Sequence, residues 1–343
     1  MTIRTFCAAA TLATTAFAAP VAAETELSFN IFFPKTHFVW PVFQAWSDDI
    51  AEATDGAVRI TFPAQSVSPP PGVVDAVRNG VADGGFIFNG FLAHSAPGTM
   101  VTQMPFISLG DSAAASEVFW QSYVDTFAEA EVLRGVEMVS GFHLGPTFLC
   151  SVTDTPITTL EELRERRVWA LPGTIADTLA AMDLAITASP AVQVQELASR
   201  NTVDAHLGLS METIVSFGVA PYTQSCVDMS PALQSANFSI FFNQRAWDRL
   251  SDDHRAAITD LSGLALATRL GEATNTADAA ARSQLEAMGV TFAPIEAELL
   301  AAMRDAAAGV EAKWAEDIQS RYGIDGRAVV EAARAAVAAK SGD

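Results

Sequence analysis

The stretch Glu26-Leu-Ser-Phe-Asn-Ile-Phe-Phe33, then Pro34, then a segment carrying Trp40, Phe43, Trp46 and Ile50, then Ala57-Val-Arg-Ile-Thr-Phe62, decides the fold class. The first run alternates as a strand, the four large apolar residues fall at helical spacing, and the third run is again a strand, so the chain opens β-loop-α-β. The pattern continues. The loop Ser68-Pro-Pro-Pro-Gly72 leads into a short helix, Val73 to Asn79, closed by Gly80, and Gly84-Gly-Phe-Ile-Phe88 reads as a further strand ending at Asn89-Gly90. Strands alternating with helices predict an α/β fold with mainly parallel sheets.

Farther along, Val136 to Leu144 and Arg167-Val-Trp-Ala-Leu171 read as strands, the latter ending at Pro172-Gly173. Between them Thr158 or Thr159 caps a helix, with Glu161 or Glu162 reaching back. From Arg245 to Met288 the spacing predicts one long helix, bent at Gly263 and Gly271, and Glu296 to Lys340 reads as two Ala-rich helices parted by Tyr322-Gly323. One short pattern recurs: Val77-Arg-Asn-Gly-Val-Ala-Asp83 resembles Ala198-Ser-Arg-Asn-Thr-Val-Asp204, each a helix tail, a turn and a strand start. Two lobes built on one local plan are expected.

Residues 1–23 read as a signal peptide: Arg4 is the basic start, Phe6 to Phe17 the short apolar stretch, and Val21-Ala22-Ala23 the small-residue end. The mature chain is expected to start at Glu24 in an oxidising, periplasmic setting. Cys150 and Cys226 are the cysteines left there, and the sequence leaves open whether they join or stay as buried thiols. Forty acidic against twenty basic side chains give a net charge of −20 in 343 residues, which repels phosphate backbones and argues against nucleic-acid binding. Half the residues are hydrophobic and 17% charged, enough for sizeable cores in two domains. His37, His94, His143, His206 and His254 show no metal-ligand spacing. No nucleophile elbow, phosphate loop or dinucleotide fingerprint is present, so no metal, cofactor or catalytic residue is expected.

The order of these motifs resembles the solute receptors of tripartite ATP-independent periplasmic (TRAP) transporters, the DctP family. The residues that carry the resemblance run from Phe33-Pro34 and His37 through Phe62-Pro63-Ala64, Asn79-Gly80, Asp83 and Met104-Pro105-Phe106. They continue with Pro156 to Leu163, Leu171-Pro172-Gly173, Thr202-Val-Asp204-Ala205 and Phe242-Asn243-Gln-Arg-Ala-Trp247-Asp-Arg-Leu250. The resemblance implies a type II-like periplasmic binding protein fold: two α/β lobes joined by crossing strands and a long bracing helix, closing on one solute. On that reading lobe 1 takes residues 24–148 and 237–276, and lobe 2 takes 149–236 and 277–343. It implies a monomer whose partners are a small organic solute and TRAP membrane permease subunits, and no catalysis.

Most members of the family hold a carboxylate with an arginine on the strand before the Pro-Gly turn. Here Trp169 or Ala170 stands at that place, and a second basic position falls near Thr147. The resemblance therefore implies a pocket of aromatic and weakly polar groups: Phe38, Trp40, Phe88, Asn89, Trp169, His206 and Asn243. Aromatic faces attract ammonium groups, so the expected ligand is an amine, an amino alcohol or a neutral alcohol. The alternatives are a carboxylate held by Arg167, His206 or main-chain N–H groups, a sensor subunit of the same fold, and an exported enzyme using the same cleft. Against these site residues stand plainer readings: Trp40 shares a helical face with core residues, His206 fits a satisfied buried histidine, and Asn243 fits a helix cap.

Overall fold

A computed structural model describes residues 24–107, 110–131 and 133–341, and the expected signal peptide lies outside the described residues. The first half runs β1 (Thr25–Asn30), α1 (Val39–Ala53), β2 (Val58–Thr61), α2 (Val73–Arg78), β3 (Gly84–Phe88), α3 (Ser112–Thr126) and β4 (Val136–Pro146). Then come β5 (Phe148–Ser151), α4 (Leu160–Arg164), β6 (Val168–Ala170), α5 (Thr174–Ala181), β7 (Ile186–Ala188), α6 (Val194–Ser199), β8 (Ala205–Leu209), α7 (Met211–Ser216) and β9 (Ser225–Asp228). The chain closes with β10 (Ser235–Asn243), α8 (Gln244–Asp248), α9 (Asp252–Leu261), α10 (Gly263–Ala287), β11 (Thr291–Pro294), α11 (Ala297–Tyr322) and α12 (Gly326–Ser341).

Two sheets form, ordered β2-β1-β3-β10-β4 and β11-β9-β5-β8-β6-β7. Their plans match. In the first, β1 lies parallel between β2 and β3, and β10 inserts antiparallel between β3 and β4. In the second, β6 lies parallel between β7 and β8, and β5 inserts antiparallel between β8 and β9. The recurring sequence pattern has a structural counterpart. The Asp83 N–H donates to the Ser28 carbonyl at 2.8 Å, while its carboxylate accepts the Ser28 N–H at 3.0 Å and hydroxyl at 2.8 Å. The Asp204 N–H donates to the Arg167 carbonyl at 3.0 Å, and its carboxylate accepts the Arg167 N–H at 2.9 Å and Nε–H at 3.0 Å. In both lobes an aspartate ahead of the third strand thus pins the first.

Helix α1 buries Phe43, Trp46 and Ile50 of the expected face, with Val39 in the place expected of Trp40, and ends where Asp55 and Gly56 turn left-handed. That face meets Phe29, whose ring lies 5.2 Å from Phe43 and 5.5 Å from Trp46, and Phe142 stacks on Phe238 at 5.0 Å farther along the sheet. Each such ring contributes about 1.5–3 kcal/mol on burial. The second lobe's core is mostly aliphatic around Trp169, and Cys150–Cys226 form a disulfide between the neighbouring strands β5 and β9.

The chain passes between the sheets at Thr147, between β4 and β5, and again between β9 and β10. The single helix expected from Arg245 to Met288 is three helices. Ser251 caps α9 by accepting the His254 N–H, and Gly263, at φ 49°, separates α9 from α10. Helix α10 is the brace, packing on α3, β4 and α1 of one lobe and α7 of the other. At Gly271 a Cβ would run into the Ala113 backbone, so the glycine lets α10 and α3 approach closely. Helix α11 packs on α5 and α12 packs on α3, the latter across the first lobe.

Candidate functional site

Parallel strands of an α/β sheet leave a crevice at their carboxyl ends, and here the two crevices face each other. Between them lies a narrow cavity lined from both lobes. Phe32 and Phe33 reach it from the end of β1, Phe88 and Phe91 from the end of β3, and Phe238 from β10. The second lobe adds Leu171 after β6, the turn Pro190-Ala191-Val192 after β7, Gly208 to Ser210 at the end of β8, and Thr213 and Phe217 at α7. Gly208, at φ 132°, presses against Leu171, where a Cβ would not fit.

No lining side chain among the described residues is charged. Polarity comes from three hydroxyls on the second lobe's side. Thr147 donates from both its N–H and Oγ1 to the Gln234 carbonyl, at 3.0 and 2.8 Å. Ser210 Oγ lies 3.1 Å from Thr213 Oγ1 and accepts the Thr213 N–H, capping α7. Behind them Asp278 of α10 accepts the Glu212 N–H at 2.8 Å and stands against Gly145 of the lining. Burial raises the Asp278 carboxyl to about 6, against the opposing pull of the Glu212 N–H and the Ser210 hydroxyl.

Of the residues expected to form the site, Phe88 alone lines the cavity. Trp169 and His206 are paired in register on β6 and β8, buried a pleat short of the carboxyl edge, and the residues just beyond them reach the cavity instead. Trp169 Nε1–H donates to Ser189 Oγ at 3.0 Å, and His206 Nε2 pairs with Thr223 Oγ1 at 3.1 Å, with burial lowering its pKa to about 4. Ala170, the other residue at the arginine position, is likewise buried. Phe38 packs on His37 outside the cavity. Trp40 backs the lining, its Nε1–H donating to the Phe33 carbonyl at 3.2 Å and its ring covered by the Lys35 ammonium. Asn89 donates to the Thr99 carbonyl beneath the cavity, and Asn243 caps α8 while bonding the Val77 carbonyl. Arg167 is held by Asp204 at the opposite end of its strand.

The residues that do line the cavity were legible in part. Phe32-Phe33 ends the opening strand, and Ser210 lies four residues beyond His206; counting to the strand ends would have reached both. Phe217, brought in by α7, carried no such signal. Among the described residues no group of three His, Cys, Asp or Glu could hold a metal ion, and no helix is long and apolar enough to cross a membrane.

Comparison with known proteins adds to this geometry. The model of the family described as bacterial extracellular solute-binding protein, family 7 (DctP) matches residues 29–317. A crystal structure of a TRAP periplasmic solute binding protein from Bordetella bronchiseptica, with bound (R)- and (S)-mandelate, is 27% identical. It covers 93% of this chain and 100% of that one, with a TM-score of 0.86. A TRAP solute binding protein from Rhodoferax ferrireducens, in complex with copurified benzoate, is 26% identical over 92% of this chain and 98% of its own, with a TM-score of 0.82. A curated protein of Comamonas testosteroni, described as outer membrane transporter protein TsaT, is 26% identical over 98% of each chain.

Proposed function

The chain belongs to bacterial extracellular solute-binding protein family 7, and from that premise we propose that it captures a small aromatic acid between its lobes for uptake through a TRAP permease. The observation that carries the ligand class is the cavity itself, with six phenylalanines and no charged side chain. A benzene ring burying roughly 150 Å² there gains about 4 kcal/mol, before ring-to-ring contacts add to it. The polar head then turns to the Ser210 and Thr213 hydroxyls of the second lobe, and no lining carboxylate stands ready to pair with an ammonium. The mandelate and benzoate bound by the two relatives support the same class.

The family is periplasmic, and its members bind small solutes, without catalysis, for membrane permease subunits. The carboxyl that bonds the Ser210 hydroxyl, Asp278, lies behind the lining and is held there by the Glu212 N–H. The amine reading keeps one argument, the Asp278 carboxyl behind Gly145. Calorimetric titration of ligand-stripped protein with benzoate, benzyl alcohol and benzylamine separates the readings. Benzoate is expected to bind, with Thr213→Val weakening it about tenfold. Binding of benzylamine alone would transfer the site to Asp278 and a cation, and silence from all three would end the aromatic reading.

A further inference from the structure

Beside the cavity the two lobes touch through a buried polar pair that solute binding does not itself use. His37 sits in the turn after β1, its N–H donating to the Pro34 carbonyl at 3.0 Å, and its side chain is fully buried. Nδ1 accepts the Val39 N–H at 3.4 Å, and Nε2 lies 2.9 Å from Glu212 Oε2 of α7, on the other lobe. Glu212 Oε2 also accepts the Ser216 hydroxyl at 3.2 Å, and Thr36 Oγ1 donates across the same seam to the Ser216 carbonyl at 3.1 Å. The His37 ring packs 4.3 Å from Phe33, and Phe33 lies 5.4 Å from Phe217, so the contact stands directly behind one lining residue of each lobe.

We propose that His37 and Glu212 are positioning residues for capture, a cross-lobe contact that forms only on closure and sets Phe33 against Phe217. This deepens the receptor reading and rests on it, but not on the identity of the solute. The contact also makes closure sensitive to pH. In the closed chain burial holds the imidazole below its ordinary pKa, with the Glu212 hydrogen bond and charge opposing. When the lobes part, Nε2 meets water and the pKa returns toward roughly 6.5. Closing therefore releases the proton: the contribution is complete above the open-state pKa and is lost as pH falls through it toward the closed-state one. The charged groups near His37 are Glu212 itself, Asp278 bonded to the Glu212 N–H, and Lys35, which lies over Trp40.

The test is ligand-free and uses the whole mature chain with its disulfide intact. Labels at cysteines replacing the exposed Glu52 and Ser199, one on each lobe, report the closed fraction by single-molecule energy transfer. His37→Leu and Glu212→Ala are each expected to lower the closed-to-open ratio about tenfold, and Glu212→Gln, which keeps a polar oxygen beside Nε2, to keep most of it. The wild-type ratio is expected to fall from pH 8 to pH 5.5, and His37→Leu, which retains Asp278, to lose that slope. An unchanged ratio in both His37→Leu and Glu212→Ala, or a pH slope that survives His37→Leu, overturns the proposal. Failure of benzoate to bind would bear on the ligand class and leave this result standing.

Discussion

The two lobes share one strand plan and one aspartate pin, yet face the cavity with different chemistry. The first lobe brings five of the six lining phenylalanines, whereas Thr147 at the crossing and Ser210 and Thr213 of the second lobe bring the hydroxyls. The cores differ in the same sense. Rings fill the first, from Phe29 and Phe43 to Phe142 and Phe238, and aliphatic side chains with a disulfide fill the second. A shared backbone plan thus leaves each lobe free to specialise, one as the apolar wall and the other as the polar one.

Removing Phe238 strikes hardest at this division, because the ring both stacks on Phe142 and lines the cavity. Phe238→Ala is expected to cost about 3–5 kcal/mol of stability and to abolish capture of an aromatic solute, as urea unfolding and calorimetry would measure. Converting Cys150 and Cys226 together to serine tests the other core, with an expected loss of about 2–4 kcal/mol falling on the second lobe; hydrogen exchange should rise in β5 and β9 and not in β1 or β3. If exchange rises equally in both sheets, the lobes do not hold independently. The aspartate pins offer a sharper comparison. Asp83→Asn and Asp204→Asn each weaken two charge-assisted bonds of similar length, so chemical denaturation should give penalties of about 1–2 kcal/mol that agree between the lobes.

The smallest expected effect lies where the second lobe meets the brace. The buried Asp278 carboxyl titrates near 6, above its ordinary value, so between those two values the folded chain holds a proton the unfolded chain has lost. Stability then falls as pH rises through that window. Relative to Asp278→Asn, the wild type is expected to lose on the order of 1 kcal/mol between pH 4.5 and pH 7, by thermal unfolding at each pH.

Strand and helix types were legible because burial imposes period: Phe43, Trp46 and Ile50 face one way for the reason their spacing suggests, while Val39 takes the buried place expected of Trp40. The duplicated plan was legible from Asp83 and Asp204, since the hydrogen bonds that pin a parallel strand need that side chain at that place. The site was less so. Whether a side chain reaches a crevice depends on how far it lies from its strand's carboxyl edge, and Trp169 and His206 stop a pleat short, a distance no side-chain type reveals. At Gly263 a bend was legible from the glycine, though the structure has a full break there at φ 49°, whereas the break before Ser251 was not legible, because helical propensity on both sides is high.

The central position of β10 sets an order in time. Between β3 and β4 the first sheet has a gap until residues 235–243 arrive, with the whole of β5 to β9 intervening in the chain, so its inner hydrogen bonds span some of the longest loops in the molecule. The core strands of the second sheet, β5 to β9, come from one unbroken stretch. Long loops are slow to close, so the second lobe should assemble first and serve as the platform on which the aromatic lobe is completed.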